Sequence, residues 1–307
     1  MKGYKAFRKG LICRDKVYKE NTVFEEDNAE ICKSGMHFCK NPIDTLDYYH
    51  LIDYKGNVTE FAEVEALSSA KTDNNEKFCT KKLKIGSRLS LSQFIDASLN
   101  FTSQKKKSNT SALDDETLIG GPWTKLVGGN SSKLVGGDNA IIVGRYNAKL
   151  VGGNEAALVG DEGSTLVGDN WAELVGGDFT KLVGNNGAKL VGGDGAKLVG
   201  GNGAILVGGD GAILVGGGSA KLTGGDCAKV IGSNYATLAG GEDAIIVGDN
   251  GSAAKGKKGS IILLIERDNE MNIINFKAVQ VDGEKIKEDT LYELKNGELV
   301  EAAKSRY

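Results

Sequence analysis

The chain has no long apolar run. No stretch of its 307 residues approaches the ~20 apolar residues a membrane helix needs. The opening MKGYKAFRKG carries charges with no apolar segment behind them, so neither a membrane span nor a signal peptide is expected. Charge of either sign is not in great excess: 38 basic against 41 acidic residues leave −3. Residues 111–256 hold 10 basic and 16 acidic groups, and a mildly acidic middle argues against a bulk nucleic-acid binder. Cysteine is sparse and odd in number. Cys13, Cys32, Cys39, Cys79 and Cys227 are scattered, give no disulfide framework and suit a reducing interior, so a cytoplasmic location is expected. Proline occurs only twice, whereas glycine occurs 44 times, most of it in one block.

Within that block, residues 187–217 read GAKLVGGDGAKLVGGNGAILVGGDGAILVGG. Glycine stands at every eighth position from Gly120 to Gly256, 18 glycines bounding 17 phrases of the form Ala-x-Leu-Val-Gly-Gly-(Asp/Asn)-x. No helix holds this, because two or three glycines per phrase would each cost about 1 kcal/mol against Ala and eight is no multiple of ~3.6. A short strand and a tight turn with glycines supplying positive φ do fit. Stacked, such strands form a parallel β-solenoid.

The residue before the variable turn position sets the coil length. From Asn154 it alternates between an amide series with a single Gly (Asn154, Asn170, Asn186, Asn202, Gly218, Asn234, Asn250) and an acidic series (Glu162, Asp178, Asp194, Asp210, Asp226, Glu242). Two phrases therefore make one sixteen-residue coil with an amide corner and an acidic corner, and 17 phrases give about eight and a half coils, a rod ~40 Å long. Strand alternation points the small residue and the Leu inward, and the x position and the Val outward.

Each face thus carries a Val row. One comprises Val135, Val151, Val167, Val183, Val199 and Val215, flanked by Lys181 and Lys197. Such a strip exceeds what monomers usually leave in water, so either flanking Lys stems cover it or one face packs on a second copy or another partner. The acidic corner precedes the Lys-rich face by three residues (Asp178 to Lys181, Asp194 to Lys197, Asp226 to Lys229), which suggests exposed ion pairs. Trp123, Trp171 and Tyr235 differ by multiples of sixteen and share an edge with turn packing or binding as their role; Phe179 also interrupts the small turn residues.

The coil resembles those of bacterial ice-nucleation proteins, which also place a small residue and Leu inward; their outward Thr-x-Thr is here Lys/Ile-x-Val. The phrase GGDGAKLVGG looks like calcium-binding toxin repeats, GGxGxDxLx, but Lys189 or Ile205 replaces the Asp such a site needs. These likenesses imply an ice- or calcium-binding repeat protein as one alternative.

Residues 1–103 read as an α+β domain, 104–116 as a linker, 117–256 as the solenoid and 257–307 as a C-terminal β cap. GYKAF, GMHFC, TEFAEVEAL and KKLKIG read as strands. NPIDTLDYYHL reads as a helix capped by Asn41 with Pro42 first, and SLSQFIDASLN as a second helix with a Ser cap. SIILLIER continues the last coil, and Asp282-Gly283 and Asn296-Gly297 are hairpin signals. The segments MKGYKAF, EICKSGMHFCKNPIDTLDYY and FKAVQVDGEKIKEDTLYELKNGELVE resemble an uncharacterised family of bacteria and their phages that joins this domain to Gly-rich repeats. That resemblance implies phage or prophage association and brings no known activity.

Three constellations bear on chemistry. Cys13, Cys32, His37 and Cys39 lack a Cys-x2-Cys knuckle, so buried thiols and a packed His are expected rather than a metal site. GMHFCKNPIDTLDYY followed by FAEVEAL is faintly similar to ADP-ribosyltransferase folds, with Glu63 and Glu65 as the acidic pair, but no nicotinamide-gripping Arg or Ser-Thr-Ser strand is evident. Lys105 to Lys107 read as a solvated run. The expectation is a mainly β, capped parallel β-solenoid without cofactor. Its expected role is that of a non-enzymatic scaffold that self-associates through a Val-bearing face, or a phage-derived binder that sequesters or mimics a host component, with the acidic corner ladder from Glu162 to Glu242 as a surface imitating nucleic acid. An ADP-ribosyltransferase-like enzyme carried on a solenoid is the other alternative.

Overall fold

A computed structural model describes residues 1–103 and 111–302. Most of the expected linker and the run Lys105 to Lys107 lie outside the described residues.

From residue 111 to 264 the chain winds as a parallel β-solenoid of about ten coils of sixteen residues, roughly 48 Å long at ~4.8 Å per coil. Every parallel partner lies sixteen residues away: Leu150 beside Leu166 on one sheet, Leu174 beside Leu190 on the other. The coil count exceeds the glycine-based expectation because strands without the glycine phrase still pair in register. Ser111–Ala112 lies against Val127 and Gly128, and Ile261–Arg267 continues parallel from Ile245–Gly248. Leu198 is fully buried while Val199 is 45% exposed, and inward Ala and Leu ladders fill the axis.

The invariant glycine serves packing rather than torsion. Positive φ falls on the variable turn slot, where glycine stands at 187 and 195 but Asn, Glu, Trp or Phe at 139, 155, 171 and 179. At Gly144, by contrast, a Cβ would lie 2.6 Å from Ala148 Cβ and 2.7 Å from Leu150 Cδ2. The corner closes only where that atom is missing.

The first 89 residues form a seven-stranded antiparallel sheet from β1 (Lys2–Phe7), β4 (Val23–Glu25), β5 (Met36–Cys39), β6 (Glu60–Ala66), β7 (Ala70–Thr72), β8 (Lys77–Thr80) and β9 (Lys82–Leu89), with a small ribbon of β2 (Ile12–Cys13) and β3 (Lys16–Val17). The order is β4-β9-β6-β1-β5-β8-β7. Helix α1 (Leu91–Ser103) follows. Ser90 Oγ accepts from the Gln93 N–H at 3.2 Å and Gln93 Oε1 from the Ser90 N–H at 2.8 Å, a reciprocal cap. Pro42–Asp47 is a 3-10 helix, not an α-helix, and Asn41 gives it no cap bond: its Nδ2 donates to Asp44 Oδ1 at 3.3 Å.

At the C-terminal end, Ile273–Gln280 pairs antiparallel with Ile261–Arg267, and Tyr292–Lys295 with the strand Ala253–Lys255. Each solenoid sheet is thereby continued by an antiparallel strand, which blunts the parallel edge. Asn296 and Gly297 make the expected two-residue turn, both with positive φ, between Lys295 and Glu298. Asp282-Gly283 makes no hairpin. Asp282 Oδ1 instead accepts the N–H groups of Glu284, Lys285 and Ile286, and this loop carries the chain between sheets.

Candidate functional site

The two Val rows have opposite fates. On one face Val127, Val143, Val159 and Val175 are buried beneath the chain's own N-terminal domain, packed with Ile43, Leu46, Leu51, Ile52, Phe61 and Phe94. Gly56 extends the cover, since a Cβ there would lie 2.7 Å from Val207 Cγ2. On the other face Val151, Val167, Val183, Val199, Val215 and Ile231 are 36–45% exposed, with Val135 and Val247 half-buried at the ends. Lys stems flank this row without closing it: Lys133, Lys149, Lys181, Lys197 and Lys229 are themselves exposed.

Polar contacts lock the covered face. Lys125 Nζ pairs with Asp44 at 2.9 Å and with Asp47, Arg145 with Asp96 at 2.8 Å, and Ser92 Oγ donates to Asp161 at 2.9 Å. Burial pushes Asp44 up despite the pull of Lys125, and the two carboxylates raise Lys125 against its own burial. Glu173 takes a position that is Lys or Ile in many coils, is 7% exposed, and receives the Ile52 N–H at 3.1 Å. The signal available in the sequence was the outward series Ile141, Ala157, Glu173 on this face, three coils in succession without lysine.

The acidic corner is built differently from the ion pairs expected of it. Among the described residues no ion pair joins Asp178 to Lys181, Asp194 to Lys197 or Asp226 to Lys229. Instead, carboxylates bond along the rod. Asp178 Oδ1 accepts the Asp194 N–H at 2.9 Å, and Asp194 that of Asp210 at 2.9 Å; Asp210 accepts that of Asp226 at 2.8 Å and Asp226 that of Glu242 at 2.7 Å. Glu162 stands outside this chain, its own N–H bonded to Asp161. The amide corner repeats the device through Asn170, Asn186 and Asn202. A short side chain reaches the next coil's N–H, whereas a lysine three residues on lies around the corner.

The edge aromatics pack on turns. Rings of Trp171, Phe179 and Tyr235 lie on Gly187, Gly195 and Gly251 of the next coil, each within 2.5–2.7 Å of where a Cβ would stand. Trp123 and Trp171 also border a groove with His50 and Glu155 at the seam with the N-terminal domain.

Glu63 is exposed opposite Tyr4, and Glu65 half-buried opposite Lys2 and Lys84. Neither lines the large cavity of this domain. That cavity, about 830 Å³, gathers Cys13, Cys32, His37 and Cys39 around Lys5. The four do not converge on a metal, and among the described residues no group of three or more His, Cys, Asp or Glu is placed to hold one. His37 Nε2 accepts the Cys32 N–H at 3.0 Å, Cys13 Sγ meets Tyr49 Oη at 2.8 Å, and Lys77 Nζ donates to Cys32 Sγ at 3.1 Å. Burial, then Lys5, Lys77 and Arg14, lowers His37; burial, with Asp44 and Asp47, pushes the Cys39 thiol up to about 12. Sequence reasoning passed over Lys5, although alternation along β1 sets it on the same side as buried Phe7.

No helix among the described residues is long and apolar enough to cross a membrane. No curated protein and no solved structure matches the chain. Residues 1–97, which contain the whole lining of the Lys5 cavity, match the family described as Domain of unknown function (DUF7666).

Proposed function

We propose that the protein is a non-enzymatic interaction protein whose rigid solenoid presents its open Val row to a second copy of itself. The observation that carries this reading is the asymmetry of two chemically similar faces. One row is buried at Val127, Val143, Val159 and Val175 by apolar side chains of the N-terminal domain and half-buried at Val191 and Val207, while the other runs over eight rungs from Val135 to Val247 with its six central rungs exposed. Eight rungs at ~4.8 Å and a width of ~12 Å give roughly 450 Å² per copy. That area exceeds the single scattered apolar residues of ordinary surfaces but falls below the ~800 Å² per partner of a tight complex. The reading is therefore of a weak, concentration-dependent dimer. A host protein on the same face is the version that the phage-associated resemblance supports.

Sedimentation equilibrium of the wild type against Val183→Lys/Val199→Lys tests it. The wild-type mass is expected to rise with concentration above 32.3 kDa and the variant to stay there. A wild type that remains monomeric throughout overturns self-association.

A further inference from the structure

Lys5 sits at the floor of the N-terminal cavity, 4% exposed, in a strand hydrogen-bonded on both sides. Its ammonium donates to the His37 carbonyl at 2.8 Å and lies 5.5 Å and 5.6 Å from the ring centres of Phe7 and Tyr18. Thiols of Cys13 and Cys39 lie nearby. Among the described residues it forms no ion pair with a carboxylate. A buried cation without a counter-charge is costly, by several kcal/mol, and such a group lining a cleft is a candidate functional site.

The rest of the cavity does not supply the missing anion. Glu26, one of its two lining carboxylates, is held by Lys16 at 3.1 Å and by the Gly35 N–H at 3.1 Å. The other, Asp15, shares the lining with Arg14 and Lys77, so the field inside is positive. Tyr18, Tyr48, Tyr49 and Phe38 give flat apolar walls. The volume of about 830 Å³ falls in the range of small-molecule sites, ~300–1,000 Å³.

We propose that this cavity binds a small organic anion with a planar body, whose carboxylate or phosphate pairs with Lys5 Nζ while its ring lies between the tyrosines. Arg14 and Lys77 draw the anion in, and the aromatic walls select a ring over an inorganic ion. This site is independent of the solenoid face and of the self-association proposed for it.

Calorimetric titration of the full chain with two probes, benzoate and adenosine monophosphate, tests the site and separates carboxylate from phosphate recognition. At least one probe is expected to bind saturably, and Lys5→Met to weaken it by at least about tenfold. Arg14→Ala/Lys77→Ala, which changes only the lining nearer the surface, is expected to weaken it by about threefold and carries the test should Lys5→Met fail to fold. Binding that Lys5→Met leaves unchanged overturns the proposal. So does the absence of binding by both probes.

Discussion

Glu173 and Lys189, sixteen residues and one coil apart, meet at 3.0 Å and between them hold both backbone groups of Ile52. Glu173 Oε2 accepts the Ile52 N–H at 3.1 Å and Lys189 Nζ donates to the Ile52 carbonyl at 2.9 Å. His50 Nδ1 stands 3.3 Å from the same carboxylate. The pair fixes where along the rod the N-terminal domain sits. Glu173→Ala leaves the Ile52 N–H without its acceptor and Lys189 without its counter-charge at a partly buried seam, which should cost about 2–4 kcal/mol. Denaturant unfolding measures the loss, and hydrogen exchange should place it at residues 42–58. Glu173→Gln, which keeps an oxygen to accept the Ile52 N–H while losing the charge, should cost less than Glu173→Ala.

The two faces should answer the same substitution differently. Val159 is fully buried and Val183 41% exposed. Val159→Lys forces a charge beneath the N-terminal domain and should cost about 3 kcal/mol or more. Val183→Lys should change stability by no more than about 0.5 kcal/mol. Thermal melting of both variants, at a concentration where the protein is monomeric, checks the difference.

In the acidic column, the acceptor oxygen should matter more than the charge. Asp194→Ala removes the partner of the Asp210 N–H and should cost about 0.5–1.5 kcal/mol. Asp194→Asn keeps an oxygen there and removes one charge from a column repeating at ~4.8 Å, so it should be at least as stable as the wild type at low salt. That advantage should shrink as salt rises. Melting midpoints at two ionic strengths decide it.

The stability contributed by Lys5 should depend on pH in a definite sense. Burial lowers its pKa below the ordinary lysine value of 10.5, against the opposing pull of the Cys13 and Cys39 thiols and with Arg14 lowering it further. The unfolded chain therefore binds more protons at this residue than the folded one between the two values. Stability rises with pH through that window and is reduced below it. Lys5→Met should melt higher than the wild type near neutrality, with the gap closing as pH climbs toward 10.5. A gap that stays constant from neutral to alkaline pH would contradict the assignment.

The winding of the rod was legible because a period of eight in glycine and sixteen at the corner residue leaves one way to stack Leu150 on Leu166. Local patterning cannot say what covers a face. Val143 and Val151 occupy equivalent slots in successive phrases, and only long-range docking buries the first while leaving the second exposed. The trace that docking left was chemical, in Glu173 and the missing lysines at 141 and 157. The Lys5 cavity was hidden for another reason: its residues come from separate strands and loops between 5 and 77, and only the sheet order brings β1 and β5 together.

Thiol labelling of Val143→Cys and Val199→Cys, read peptide by peptide against native Cys227, tests the asymmetry of the faces most directly. Cys227 is exposed at a turn, Val143 fully buried and Val199 45% exposed. In dilute protein the cysteine at 199 should react at a rate close to that of Cys227, slowing as the protein is concentrated, while the cysteine at 143 should stay protected at every concentration. Equal reaction of the two in dilute protein would contradict the covered face, and a rate at 199 that ignores concentration would contradict self-association.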